Sequence, residues 1–132
     1  LLKQAGKKLA RYPNVVVEQA DITHLRYADD SFDAVVAANV IHLLPEPGDA
    51  LKELKRVVRP GGTIIVPTYV IPKKCAHTMF LRLISRFGVH FQEHFDPASY
   101  RAFFERMGCT GVTYRAVRGR IPCVIASFTN DQ

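Results

Sequence analysis

The sequence predicts an α/β fold: a doubly wound, mostly parallel sheet that ends in an antiparallel hairpin. Three observations predict it. Phe32 to Ala38 is a short apolar run entered through the turn-forming Asp29-Asp30-Ser31, which suits a strand buried on both faces of a parallel sheet. Gly62 to Val66 reads the same way, and between the two runs Ala50, Leu51, Leu54, Val57 and Val58 recur at helical spacing, so one stripe of a crossover helix covers a sheet face. Finally, Gly111 to Val117 and Ile121 to Phe128, separated by Arg118-Gly119-Arg120, read as a terminal hairpin, with the last strand expected between the 62–70 and 111–117 strands.

A length of 132 residues predicts a single domain, by the usual prior of roughly 100–200 residues each. Hydrophobic residues make up 48% and charged ones 23%, ample for a packed core and against disorder. No apolar stretch approaches the roughly 20 residues of a membrane span, and no signal peptide is recognisable. Cys75, Cys109 and Cys123 stand at no metal-ligand spacing and read as free thiols of a cytoplasmic protein. The net charge of +6 comes from 18 basic residues spread along the chain without stacking aromatics, which argues against a nucleic-acid partner. The chain begins Leu1-Leu2 and its methionines are Met79 and Met107, so a processed, trimmed or partial chain is expected.

In order, residues 1–11 place Leu2, Ala5 and Leu9 on one side of a short amphipathic helix with Lys3, Lys7, Lys8 and Arg11 elsewhere. Tyr12-Pro13-Asn14 is a turn by composition, and Val15-Val16-Val17-Glu18-Gln19, being β-branched, reads as a strand closed by Ala20-Asp21-Ile22. Asp29, Asp30 and Asp33 lack the glycine and glutamate of a calcium loop and read as a solvated turn. Pro47 suits the first turn of the crossover helix, whose wet face takes Lys52, Glu53, Lys55 and Arg56, and Arg59-Pro60-Gly61-Gly62 stops it. Ligands of such sheets sit beyond the carboxyl ends of the strands, here Asn39 to Leu44 and Pro67 to Val70. A helix follows over about residues 76–87, and Asp96-Pro97 starts another with Tyr100, Phe103, Phe104 and Met107 as its stripe and Gly108 as its stop. His90, Glu93 and His94 match the H-x-x-E-H zinc pattern, but Gly88 and Asp96-Pro97 bracket them too tightly for the helix such a site needs, so no metal is expected.

The string Asp30-Ser31-Phe32-Asp33-Ala34-Val35-Val36, then Val40-Ile41-His42, then Ala50-Leu51-Lys52-Glu53-Leu54-Lys55-Arg56-Val57-Val58-Arg59-Pro60-Gly61-Gly62, resembles the middle of the class I S-adenosylmethionine-dependent methyltransferases, of the type 11 kind. The resemblance is firm over about residues 12–70 and continues by element order to residue 128. It implies a partial Rossmann-like methyltransferase sheet over residues 1–132 and S-adenosylmethionine as cofactor. It also implies cofactor-binding residues: Asp21 accepting from the adenine amino group, the Ile22 N–H at a ring nitrogen, and backbone at Ala38 and Asn39 beside the methionine part. Read without it, Asp21 is a turn aspartate. His42 and Tyr69 become candidates for the side of an unidentified methyl acceptor, with His77, His90 and His94 beyond them, although a lone histidine is more often structural.

Methyl transfer from a sulfonium needs proximity and orientation rather than a protein nucleophile, so no catalytic residue is assigned. The resemblance departs at the front. The family's glycine-rich loop, its ribose-binding acid and its first two strands have no counterpart in residues 1–20, whose glycine is Gly6 inside a helix. In a sheet of order 3-2-1-4-5-7-6 this leaves the 15–19 strand an orphan and the 32–38 strand with a bare edge open to self-association. Two readings follow. One is part of a longer methyltransferase, inactive when isolated; the other is a non-catalytic α/β interaction domain that has lost the cofactor loop.

Overall fold

The parallel pair expected around the crossover helix is present in a computed structural model of the chain, which describes residues 2–70 and 97–131. β1 (Phe32–Val36) lies parallel to β2 (Val58–Tyr69), joined by a 3-10 turn (Ile41–Leu43) and α2 (Pro47–Val57), with α1 (Leu2–Leu9) preceding them. After α3 (Pro97–Arg106) come β3 (Thr113–Val117) and β4 (Cys123–Thr129). The sheet order is β1-β2-β4-β3, with β4 antiparallel to both neighbours, as the sequence predicts. The helix expected over residues 76–87, together with Cys75, His77, His90, Glu93 and His94, lies outside the described residues. Among those described, no helix is long and apolar enough to cross a membrane.

The α2 stripe buries as its spacing predicts: Ala50, Leu51, Leu54 and Val57 are at most 1% exposed, packed with Ile64 and Val66 of β2. α3 adds an aromatic layer. Phe104 meets Tyr100, Phe103, Tyr114 and Phe128 edge-on, and the Tyr100 hydroxyl donates to the Val66 carbonyl, so a buried polar atom is satisfied within the core. Gly108, at φ +71°, ends α3 in a Schellman turn: Cys109 N–H reaches Phe104 O at 3.0 Å and Gly108 N–H reaches Glu105 O at 3.0 Å.

Three expectations are corrected. Val15 to Gln19 form no strand; the whole of residues 11–20 is exposed, Val16 at 83%, because no described strand lies beside them to complete a ladder. β1 is not buried on both faces: Phe32 and Val35 are half-buried, while Ala34 and Val36 are exposed, for among the described residues it is an edge strand. Glu53 and Arg56 leave the wet face, with side chains only 17% and 32% exposed, to clamp the incoming loop.

β2 also begins earlier than Gly62. Phe32 pairs with Val58 and Ala34 with Thr63, so Arg59 to Gly62 bulge out of register between them. The glycines are required there. Gly61 sits at φ +79°, and a Cβ on Gly62 would lie 2.7 Å from the Asp33 carbonyl and 2.9 Å from that of Arg59. Asn130 locks the bulge from the end of β4, its amide donating to the carbonyls of Lys55 at 2.9 Å and Val58 at 2.7 Å, where α2 runs out of partners of its own.

Candidate cofactor site

The backbone pairing of β1 with β2 runs past the strand end. Ala37 N–H donates to Ile65 O and Asn39 N–H to Pro67 O, both at 2.9 Å, and the chain then turns away at Asn39, φ +55°. Asn tolerates that conformation better than other side chains. Its Oδ1 is buried with no hydrogen-bond partner among the described residues, a vacant acceptor at the carboxyl end of the parallel pair. Ala38 beside it is exposed.

The 3-10 turn folds back over this end and buries Ile41 and His42, the latter 4% exposed. His42 Nδ1 lies 2.9 Å from the Thr68 hydroxyl, itself fully buried, and burial holds the imidazole below its ordinary pKa. His42 is thus buried and hydrogen-bonded to β2. Tyr69, the last residue of β2, is 40% exposed.

Asp21 lies in the loop before β1. Its Oδ1 accepts from the Thr23 hydroxyl at 2.7 Å and the Thr23 N–H at 2.9 Å, and these two bonds, the hydroxyl's first, hold the carboxyl below its usual range. His24 N–H closes the turn on Asp21 O at 3.0 Å. Asp21 lines an open hollow of about 520 Å³ with Gln19, Ala20, His24 and Arg26. Ile22 next to it packs against the core. No hydrogen bond or ion pair among the described residues joins Asp21 or Ile22 to Ala38 or Asn39; the two halves of the expected site come from separate loops.

Downstream, the loop is held by α2. Leu25 N–H donates to Glu53 Oε2 at 2.8 Å, and Arg56 donates to the carbonyls of Leu25 at 3.0 Å and Tyr27 at 2.9 Å while pairing with Glu53 and Asp29. The Arg56 bond, above all, pulls the Glu53 carboxyl down to about 2. Sequence reading missed this clamp, though Glu and Arg three apart on one helix face is a visible pairing signal. It missed Thr23 as well, although a Thr shortly after an Asp is a recognisable turn pattern.

Residues 1–66, half of the 132-residue chain, match a family model described as a methyltransferase domain. Over 66 residues the chain is 44% identical to the ubiquinone/menaquinone biosynthesis C-methyltransferase of Bdellovibrio bacteriovorus, covering 50% of this chain and 28% of that protein. Over 148 aligned residues it is 35% identical to the demethylmenaquinone methyltransferase of Paenarthrobacter aurescens, covering 98% of this chain and 58% of that one. It thus spans less than two thirds of the length of these relatives. A solved S-adenosylmethionine-dependent methyltransferase from Aquifex aeolicus superposes with a TM-score of 0.65 over 97% of this chain and 63% of its own, at 20% identity, a likeness of fold. By its own half-sheet and by the family model that half its residues match, the chain belongs to the class I methyltransferases.

Proposed function

We propose that residues 1–132 are a single partial domain of a longer, cytoplasmic methyltransferase that uses S-adenosylmethionine, with the glycine-rich loop and ribose acid supplied outside this chain. The family match over residues 1–66, which takes in Asp21, Ile22, Ala38 and Asn39, carries the reading. When bound, the cofactor supplies an activated methyl group on a sulfonium. The residues here suit its donors. Asp21 is an acceptor-only group on an open hollow, matched to an amino group, with the Ile22 N–H beside it for a ring nitrogen. The unpartnered Asn39 Oδ1 is a second acceptor where the backbone of Ala38 and Asn39 would flank the methionine part. Tyr69, exposed at the end of β2, is the better candidate for the acceptor side; His42 is buried against Thr68. The named roles of the two relatives make a quinone-related ring the first acceptor to assay.

The test is Asp21→Ala in the longer enzyme, read by calorimetric titration with S-adenosylmethionine. Stranding the amino group is expected to weaken binding by about 1–3 kcal/mol, roughly 5- to 150-fold. Unchanged affinity would leave Asp21 a turn residue only.

The outer edge of β1, bare among the described residues, with Val36 59% exposed, favours a second reading, a non-catalytic domain that binds a partner strand or a second copy of itself along that edge. A longer protein that binds no S-adenosylmethionine yet self-associates on sedimentation would favour it.

A further inference from the structure

We propose that Thr23 is a positioning residue for Asp21, fixing its carboxylate so that one oxygen faces the ligand and the site selects an adenine amino group over a ring carbonyl at the same position. The inference rests on the function proposed above. Two donors from Thr23, its hydroxyl at 2.7 Å and its N–H at 2.9 Å, converge on Oδ1, which uses both lone pairs of that oxygen. A carboxylate is planar, so holding Oδ1 from two directions also fixes the direction of Oδ2, which carries no hydrogen bond from the described residues.

Among the described residues, Thr23 alone hydrogen-bonds the Asp21 carboxylate; the His24 N–H bonds the Asp21 backbone carbonyl instead. Residues 11–20 before it are exposed and form no strand, and the anchoring of the loop to Glu53 starts at Leu25, on the far side of Thr23. The orientation of the carboxylate therefore depends on the turn itself. A single fixed acceptor bonds an N–H donor and opposes a carbonyl oxygen, which offers only lone pairs. If the carboxylate were free to rotate, part of that discrimination would be lost to the unproductive orientations, while the backbone bond at Ile22 would be untouched.

The test compares two ligands in the longer enzyme, S-adenosylhomocysteine and S-inosylhomocysteine, which carry an amino group against a carbonyl on the purine. The neighbouring ring nitrogen, an acceptor in the first and an N–H in the second, meets the same Ile22 N–H in parent and variants, so its effect cancels from the change in preference. Thr23→Val keeps the β-branch and the backbone N–H but removes the hydroxyl. It should weaken S-adenosylhomocysteine by roughly 3- to 10-fold and reduce the adenosyl-to-inosyl preference by a similar factor, with Thr23→Ser returning both to within about twofold of the parent. Thr23→Ala serves as a second loss variant should the valine disturb folding, and unfolding midpoints of all variants should stay together. An unchanged preference in the valine and alanine variants, an equal loss for both ligands, or a serine variant that behaves like valine would each overturn the positioning role. A parent enzyme that binds neither ligand would instead overturn the proposed function, and this inference with it.

Discussion

Val15-Val16-Val17 and Ile64-Ile65-Val66 are nearly the same chemistry, and the fold treats them oppositely. Ile64 and Val66 are fully buried, with Val35 paired to Ile64 on one side and Phe128 on the other, whereas Val16 is 83% exposed and Val17 37%. Propensity for the extended state is shared; what differs is a neighbour on each side to complete the ladder and a helix to cover the face. The contrast extends to whole regions. From Phe32 onward the described chain builds one sheet under two helices, while α1 buries none of its residues. The loop between, residues 21–31, is tied to the folded part by the Glu53 and Arg56 clamp, by the Asp30 N–H bond to Arg56 O, and by Ile22, Leu25 and Tyr27 packing on the core.

The largest effect expected to sharpen this contrast is in the core. Phe104→Ala or Leu54→Ala should cost about 3–5 kcal/mol in urea unfolding, while Val16→Ala should stay within about 0.5 kcal/mol. A valine variant as costly as the core ones would mean that residues 15–17 are packed after all. Next comes the bulge. Gly62→Ala forces a Cβ onto two backbone carbonyls and should cost about 1–3 kcal/mol by the same measurement. Asn130→Ala and Tyr100→Phe each remove one buried side chain's hydrogen bonds and should cost about 1–2 kcal/mol, so the sheet's own joints outrank anything in residues 2–20.

The smallest effect lies at the boundary between the regions. The Glu53 carboxyl, ordinarily near 4.5, is held down to about 2 in the fold. Its contribution is therefore complete above pH 4.5 and is lost as the pH falls toward 2, where the folded form also takes up the proton. Glu53→Gln should remove that part of the acid dependence. Amide exchange at Leu25, whose N–H Glu53 accepts, should quicken on acidification in the parent and be pH-insensitive in the variant once intrinsic rates are removed.

How much of this was legible follows the same line. The α2 stripe, the parallel pair, the antiparallel hairpin and the place of β4 were readable because each is a local pattern whose partner is also in the chain. The strand at 15–19 was misread because its valines carry propensity and nothing about neighbours. Arg56 was read as a wet-face residue since helical spacing puts it opposite Leu54; its reach to the Leu25 and Tyr27 carbonyls, some thirty residues earlier, leaves no trace in periodicity. Of the candidate site, the motif pointed to Asp21 and Asn39, but the vacancy of Asn39 Oδ1, the covering of His42 and the grip of Thr23 on one carboxylate oxygen are properties of geometry alone.

The central claim of the proposed function is that the exposed region and the cofactor site are completed by the same elements, two strands with the glycine-rich loop and ribose acid, supplied outside residues 1–132. The direct test is calorimetric titration of S-adenosylmethionine into the 132-residue chain and into the longer enzyme proposed above. The isolated chain is expected to show no saturable binding and the extended one a one-to-one micromolar isotherm, since each lost contact of about 1.4 kcal/mol removes a factor of ten. Micromolar one-to-one binding by the isolated chain would contradict the account.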